Sequence, residues 1–278
     1  MKLSIVTINY NNAEGLRRTL ASVAAQTYDS IEHIIIDGGS TDGSVEIIKE
    51  YVRQLEIGNR KLEIVWVSEK DNGIYHAMNK GIRKATGDYI QILNSGDLLA
   101  APDVTERIVA ELEKAEYPEF IYGNMIKKDY VTGRILGKSK EVEYSLKQYY
   151  SSTINHDCCY IHRSVYEKYG LYDENLKIVS DWKWFLQAIG LGNVKPVYVN
   201  IDVTIFDASG ISESNLALRN QERRQVLEEL LPPAILTDYD TYAFDAEQMN
   251  RLRKYHMYGL VYFIERVLFK LEKWRIVH

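Results

Sequence analysis

Four short stretches of this 278-residue sequence concentrate acidic, amide and hydroxyl side chains: Thr7-Ile8-Asn9-Tyr10-Asn11-Asn12, Asp37-Gly38-Gly39-Ser40-Thr41-Asp42-Gly43-Ser44, Ser68-Glu69-Lys70-Asp71-Asn72-Gly73 and Asn94-Ser95-Gly96-Asp97. Groups of this kind hold hydroxyls, amides and hard cations. A backbone cradle for phosphate would need closely spaced glycines opening a helix, and the first stretch has no G-x-G-x-x-G and no glycine-rich run with a basic residue. The Walker pattern is absent throughout. For a diphosphate ligand, a carboxylate-held divalent cation is then the natural substitute, because it neutralises the charge directly.

Each polar stretch follows a short, branched, apolar run. Residues 3–8 (LSIVTI), 33–36 (HIII), 62–67 (LEIVWV) and 89–93 (YIQIL) read as buried strands. Between them apolar residues recur at helical spacing: Leu16, Leu20, Val23 and Ala24 after the cap candidates Asn11 and Asn12; Val45, Ile48 and Val52 after Asp42 and Ser44; Ile74, Ala77, Met78 and Ile82 after Asn72-Gly73. The alternation predicts a doubly wound parallel sheet with right-handed crossovers, whose ligands bind beyond the carboxyl ends of the strands. Beyond residue 100 the pattern loosens: helices are expected over 103–115, 164–169 and 181–189, a hairpin within 120–140 and a strand over 197–201.

In this order the segments Val6-Thr7-Ile8-Asn9-Tyr10-Asn11, Ile35-Ile36-Asp37-Gly38-Gly39-Ser40-Thr41-Asp42, Glu69-Lys70-Asp71-Asn72-Gly73-Ile74-Tyr75, Ala77-Met78-Asn79-Lys80-Gly81 and Leu93-Asn94-Ser95-Gly96-Asp97 resemble family 2 glycosyltransferases over roughly residues 1 to 210. The resemblance implies an α/β GT-A fold: a Rossmann-like, mostly parallel sheet flanked by helices, with a C-terminal helical extension. It further implies an inverting enzyme that moves a sugar from a nucleoside diphosphate sugar, a UDP-sugar, to a glycan or lipid-linked glycan acceptor in surface polysaccharide biosynthesis. Mn2+ or Mg2+ is the implied cofactor, held by Asp97 at the last position of a D-x-D-type motif. Gly96 stands where many relatives carry another Asp, which leaves the ribose contact to Ser95 or the backbone. Asp37 resembles the nucleotide-binding Asp, and Thr7, Asn9, Asp71, Lys80 and Ser95 complete the expected donor side, Lys80 being equally credible on the surface.

Asn155-His156-Asp157 and Ser180-Asp181-Trp182 carry the resemblance into the second half. Asp181 matches the family's general base, a role compatible with starting a helix. His156 and Trp182 are the acceptor-side candidates. The block 206–212 (FDASGIS) resembles the loop that ends the catalytic domain. Two other activities use a similar framework, a nucleotidyltransferase and a noncatalytic nucleotide- or glycan-binding relative. The missing glycine-rich first loop argues against the former, and retention of Asp37, Asp97 and Asp181 argues against the latter.

Composition narrows the partners. A net charge of −5 disfavours general nucleic-acid binding. The adjacent Cys158 and Cys159 match no zinc spacing and fit a reducing compartment. With no leader-like start and no apolar run near the ~20 residues of a span, the expected setting is cytoplasmic, with a possible peripheral place at the inner membrane face. The expected domains are a catalytic domain, 1–212 (nucleotide-binding half 1–98, acceptor-binding half 99–212), and a helical extension, 213–278, with Pro232-Pro233 as the clearest punctuation. Residues 251–278 carry seven basic against two acidic side chains, leaving the remainder at −10. There Leu260, Ile264, Val267, Leu268, Leu271 and Trp274 recur at helical spacing, which suits an anionic membrane surface, a second copy in a homodimer, or packing on the catalytic body.

Overall fold

The four predicted strands form the parallel half of one sheet: β1 (Leu3–Asn9), β2 (Ile31–Asp37), β3 (Glu63–Ser68) and β4 (Tyr89–Ile92). This computed structural model describes residues 1–57, 62–208, 215–254 and 258–277. All seven positions of β1 and of β2 are buried, as befits branched strands covered on both faces. Their register runs from Leu3 opposite Ile31 to Asn9 opposite Asp37. The order β3-β2-β1-β4 is parallel throughout, so the four polar stretches emerge side by side at the carboxyl edge.

Helices follow where the periodicity places them: α1 (Ala13–Ala24), α2 (Ser44–Ile57) and α3 (Ile74–Lys84). The Asn12 side chain caps α1 by accepting from Gly15 N–H, and Asp42 accepts from Ser44 N–H at the start of α2. Leu16 and Leu20 of α1 and Ile48 and Tyr51 of α2 form one core with Ile35 of β2. The opposite face is covered by α3, which approaches so closely that a Cβ on Gly81 would lie 2.1 Å from Val6 Cγ1. At the other end of the strands, buried Glu32 accepts from Ser4 Oγ and from Thr86 and Gly87 N–H and pairs with Lys2 Nζ at 2.8 Å. Burial alone would raise its pKa, but the bonds from Lys2, Ser4 and Thr86 outweigh that and take it down to about 2.

The second half of the sheet is mixed. After β5 (Leu98–Leu99) and α4 (Val104–Lys114), β6 (Phe120–Lys128) and β7 (Ile135–Lys138) make the predicted hairpin. Then come α5 (Leu146–Ser151), β8 (Cys159–His162), α6 (Arg163–Tyr169), α7 (Ser180–Phe185) and β9 (Val197–Asp207). The complete order is β3-β2-β1-β4-β8-β6-β9-β5, with β7 on β6. Two features differ from the sequence reading. The helix expected over 181–189 ends at Phe185 and continues as a π turn, Leu186–Gly190; and β9 runs six residues past the expected 201, because its far half pairs with β6 and β5. The α/β class with a mostly parallel site-bearing half and flanking helices holds.

Two compact units make up the chain, Met1–Val226 and Leu227–His278. Helix α8 (Leu216–Leu230) belongs largely to the first. The second contains α9 (Pro233–Lys254) and α10 (Tyr258–Val277). Leu260, Phe263, Ile264, Val267 and Leu268 are exposed on α10, and among the described residues no helix is long and apolar enough to cross a membrane. Residues 209–214, the first four of them in the expected 206–212 loop, and residues 255–257 and 278 of the basic tail lie outside the described residues.

Candidate active site

The loop after β2 is built around Asp37. Its Oδ1 accepts from Asn9 Nδ2 at 2.8 Å and Ser40 Oγ at 2.6 Å; its Oδ2 accepts from Gly39 N–H, Ser40 N–H and Ser68 Oγ at 3.2, 3.0 and 2.7 Å. Burial pushes this carboxyl up, yet the donors on Ser40, Ser68 and Asn9 more than offset it and its pKa is lowered. With five donors on its two oxygens, the side chain ties together the ends of three strands. Asp37 does not line the cavity beside it; Gly38 and Gly39 do.

This cavity, about 790 Å³, spans the carboxyl edge from Asn9 and Asp71 to Asp97, His156 and Asp181. Ser95 and Tyr10 also line it, the Tyr10 ring standing 68% exposed at its rim. At one end the turn Asn94-Ser95-Gly96-Asp97 reverses through Gly96 at φ +109°, a conformation natural to glycine. Thr19 Oγ1 on α1 fixes this turn, accepting from Gly96 N–H at 2.9 Å and donating to the Asp97 carbonyl at 2.8 Å. Asp97 itself is 3% exposed and accepts from Asp207 N–H at 2.9 Å. Burial, then the neighbouring Asp157 charge, pushes Asp97 well above the usual carboxylate range. Asp207, which pairs with Arg18 at 3.4 Å, lines the same end.

These groups fit a divalent cation in one specific sense. Asp97 and Asp207 offer hard oxygen ligands at a place where crowded carboxyl groups are costly without a counter-charge. No cluster of three potential ligands exists among the described residues, so diphosphate oxygens and water would have to complete the shell.

Across the cavity, Asp181 lies in the first turn of α7 and is held from two sides. His156 Nδ1 is 3.1 Å from its Oδ2, and the Tyr75 hydroxyl is 2.9 Å from its Oδ1. Asn94, in the Asp97 turn, meets His156 Nε2 at 3.1 Å, so the imidazole links the two acidic ends. Burial favours the uncharged form of both groups, but their mutual hydrogen bond and attraction win: Asp181 is lowered and His156 raised. An ionised, anchored carboxylate facing the cavity can accept a proton from a bound hydroxyl.

Three further expected site residues do not line this cavity. Thr7 is fully buried and bonded to His33 Nε2 at 2.9 Å, because the residue preceding Ile8 faces the core and not the loop. Lys80 pairs with Asp71 Oδ1 at 2.5 Å and Glu69 at 2.7 Å; it supports cavity-lining Asp71 and does not itself line the cavity. Trp182 is 2% exposed, donates Nε1–H to the Tyr149 carbonyl at 2.7 Å and has the Arg223 guanidinium 4.6 Å over its ring. It offers no open face to a sugar. Sequence reasoning passed over Tyr10, Lys177 and Asp207, all cavity-lining; for Asp207 the signal was its place at the head of the 206–212 block.

The profile described as "Glycosyl transferase family 2" matches residues 4–170, more than half of the chain. The chain belongs to glycosyltransferase family 2. An uncharacterized glycosyltransferase of Mycobacterium tuberculosis strain CDC 1551 is 32% identical over 212 residues, covering 75% of this chain and 76% of the relative. A PGL/p-HBAD biosynthesis glycosyltransferase of Mycobacterium bovis BCG is 26% identical over 207 residues, 74% of this chain and 77% of that one. Among solved structures, S. aureus TarS 1-349 in complex with UDP-GlcNAc superposes with a TM-score of 0.64 at 16% identity, over 82% of this chain and 64% of that one. Mannosyltransferase PcManGT from Pyrobaculum calidifontis, in complex with GDP-Man and Mn2+, gives 0.63 at 18%, over 87% and 69%. At these identities the structural likeness is one of fold. In this glycosyltransferase the matched segment carries Asp71, Asp97 and His156, whereas Asp181 and Asp207 lie beyond it.

Proposed function

We propose that this glycosyltransferase transfers a sugar, with inversion, from a UDP-sugar to a hydroxyl of a glycan or lipid-linked glycan acceptor, in the making of a surface polysaccharide or glycolipid. One observation carries the reading: Asp97 and Asp181 face a single cavity from opposite halves of the sheet, bridged by His156. The nucleotide sugars in the titles of the two fold neighbours and the glycolipid-type name of the Mycobacterium bovis relative support the substrate class.

In this reading the nucleotide lies along Asn9, Tyr10, Gly38 and Asp71, and its diphosphate points toward the Asp97 turn. Asp97, with Asp207 beside it, would hold Mn2+ or Mg2+, which when bound supplies positive charge to the departing diphosphate. Asp181 takes the proton of the acceptor hydroxyl as that oxygen attacks the anomeric carbon from the face opposite the nucleotide, so one displacement inverts the centre. His156 keeps Asp181 ionised and aimed.

Calorimetric and thermal-shift titration with UDP, with and without Mn2+, tests the nucleotide end. UDP with Mn2+ at ~100 times its Kd should stabilise the protein by about 2.7 kcal/mol. Asp97→Asn should lose the Mn2+-dependent part and keep the metal-free part. An undiminished Mn2+ enhancement in that variant removes Asp97 from the metal site.

A further inference from the structure

We infer that Glu222, on α8, is a positioning residue that sets the general base Asp181 from outside the cavity. The inference rests on the proposed role of Asp181. Glu222 is 6% exposed, and its carboxyl group accepts from three consecutive backbone donors: Lys177 N–H at 2.7 Å, Ile178 N–H at 2.9 Å and Val179 N–H at 3.3 Å. These are the residues that lead into α7, a six-residue helix whose N-cap, Val179, has no side chain to cap it. Unpaired N–H groups in buried backbone are costly, and here one carboxyl group from a distant helix satisfies three in the segment that leads into α7.

The consequence reaches the reacting group in two bonds. Lys177 and Ile178 line the cavity, and the Ile178 carbonyl lies 2.5 Å from the Tyr75 hydroxyl, which is also 2.9 Å from Asp181 Oδ1. One hydroxyl proton therefore sits between a backbone oxygen held by Glu222 and the carboxylate that acts as base. The next residue of α8 grips the same helix at its third position, since Arg223 covers the Trp182 ring and also donates to the Ser151 carbonyl at 2.9 Å. With Glu222 removed, the 177–179 backbone must find other acceptors, and Asp181 loses its fixed distance to the acceptor hydroxyl. A displacement of about 1 Å at a reacting group costs on the order of 100-fold in rate. The proposed nucleotide contacts lie at or after the ends of β1, β2, β3 and β4, on none of which Glu222 makes a hydrogen bond, so donor affinity should be spared.

The test compares wild type, Glu222→Ala, Glu222→Gln, Asp181→Asn and the double variant Asp181→Asn/Glu222→Ala. Three measurements apply: UDP release from UDP-N-acetylglucosamine with water as acceptor, UDP affinity by calorimetry, and amide hydrogen exchange. Glu222→Ala should lower kcat about 10- to 100-fold with KM and UDP affinity within about twofold. Its faster exchange should be confined to the segment around 177–185, a readout that needs no turnover. Glu222→Gln keeps an acceptor oxygen and should fall between. In the double variant kcat should be no lower than in Asp181→Asn alone, because removing the base makes its positioning irrelevant. Unchanged exchange at 177–179, or kcat and UDP affinity falling together in both Glu222 variants, overturns the inference. Wild-type turnover by Asp181→Asn instead overturns the general-base reading on which it rests, an outcome visible in that single variant.

Discussion

His156 and His33 are both buried histidines, and their partners drive them in opposite directions. His33 sits between Thr7 Oγ1 and the Tyr51 hydroxyl, two neutral groups, and burial takes it down to about 3. His156 is opposed by the same burial but faces the Asp181 carboxylate and is raised. The hydrogen bond and charge of Asp181 lead that rise, and the charges of Asp157 and Asp97 add to it. The signs for stability follow. Asp181, depressed on folding, contributes above its unfolded pKa, about 3.9, and loses that as pH falls; His156 contributes below its unfolded value, about 6.5, and loses that as pH rises through its raised pKa. NMR titration of the His156 ring checks the pairing: in Asp181→Asn its pKa should fall, toward the behaviour of His33, and an unmoved value would deny the ion pair. At this scale the sequence showed which residue types matter better than what each does. Asp97, Asp181 and His156 line one cavity. The surroundings of Asp37 and Trp182 are set by Ser40, Ser68, Tyr149 and Arg223, partners that no local motif announces.

Among the elements, the parallel half was readable because each of its strands is a short apolar run ending in a polar turn, and each crossover helix has its own apolar stripe, with side-chain caps at the starts of α1 and α2. The mixed half was harder. β5 is two residues long and β8 four, too short for any periodicity, and both gain their conformation from partners far along the chain. Glu222 illustrates the same limit, since its role arises from a contact more than 40 residues away. The closest helix-to-strand approach gives a prediction. With 2.1 Å between a Gly81 Cβ and Val6 Cγ1, Gly81→Ala must push α3 off β1, the strand that ends in the Asn9 loop. The higher helix propensity of alanine, about 1 kcal/mol, works against a clash of about 1–3 kcal/mol, so denaturant unfolding should show a modest net loss; a gain in stability would mean that α3 and β1 are not packed this closely.

For the molecule as a whole, one continuous nine-stranded sheet joins the two halves of the site, the parallel edge presenting the proposed nucleotide side and the mixed half bringing His156, Asp181 and Asp207 to meet it. This separation predicts that binding and chemistry can be broken independently. The most direct measurement sets turnover of a UDP-sugar by Asp181→Asn against its calorimetric affinity for UDP. Transfer should fall about 100- to 10,000-fold, the range for loss of a general base, while UDP affinity stays at the wild-type value. Undiminished transfer, or a loss of UDP affinity as large as the loss of transfer, would contradict the assignment of Asp181 as the base in a site whose nucleotide end lies elsewhere.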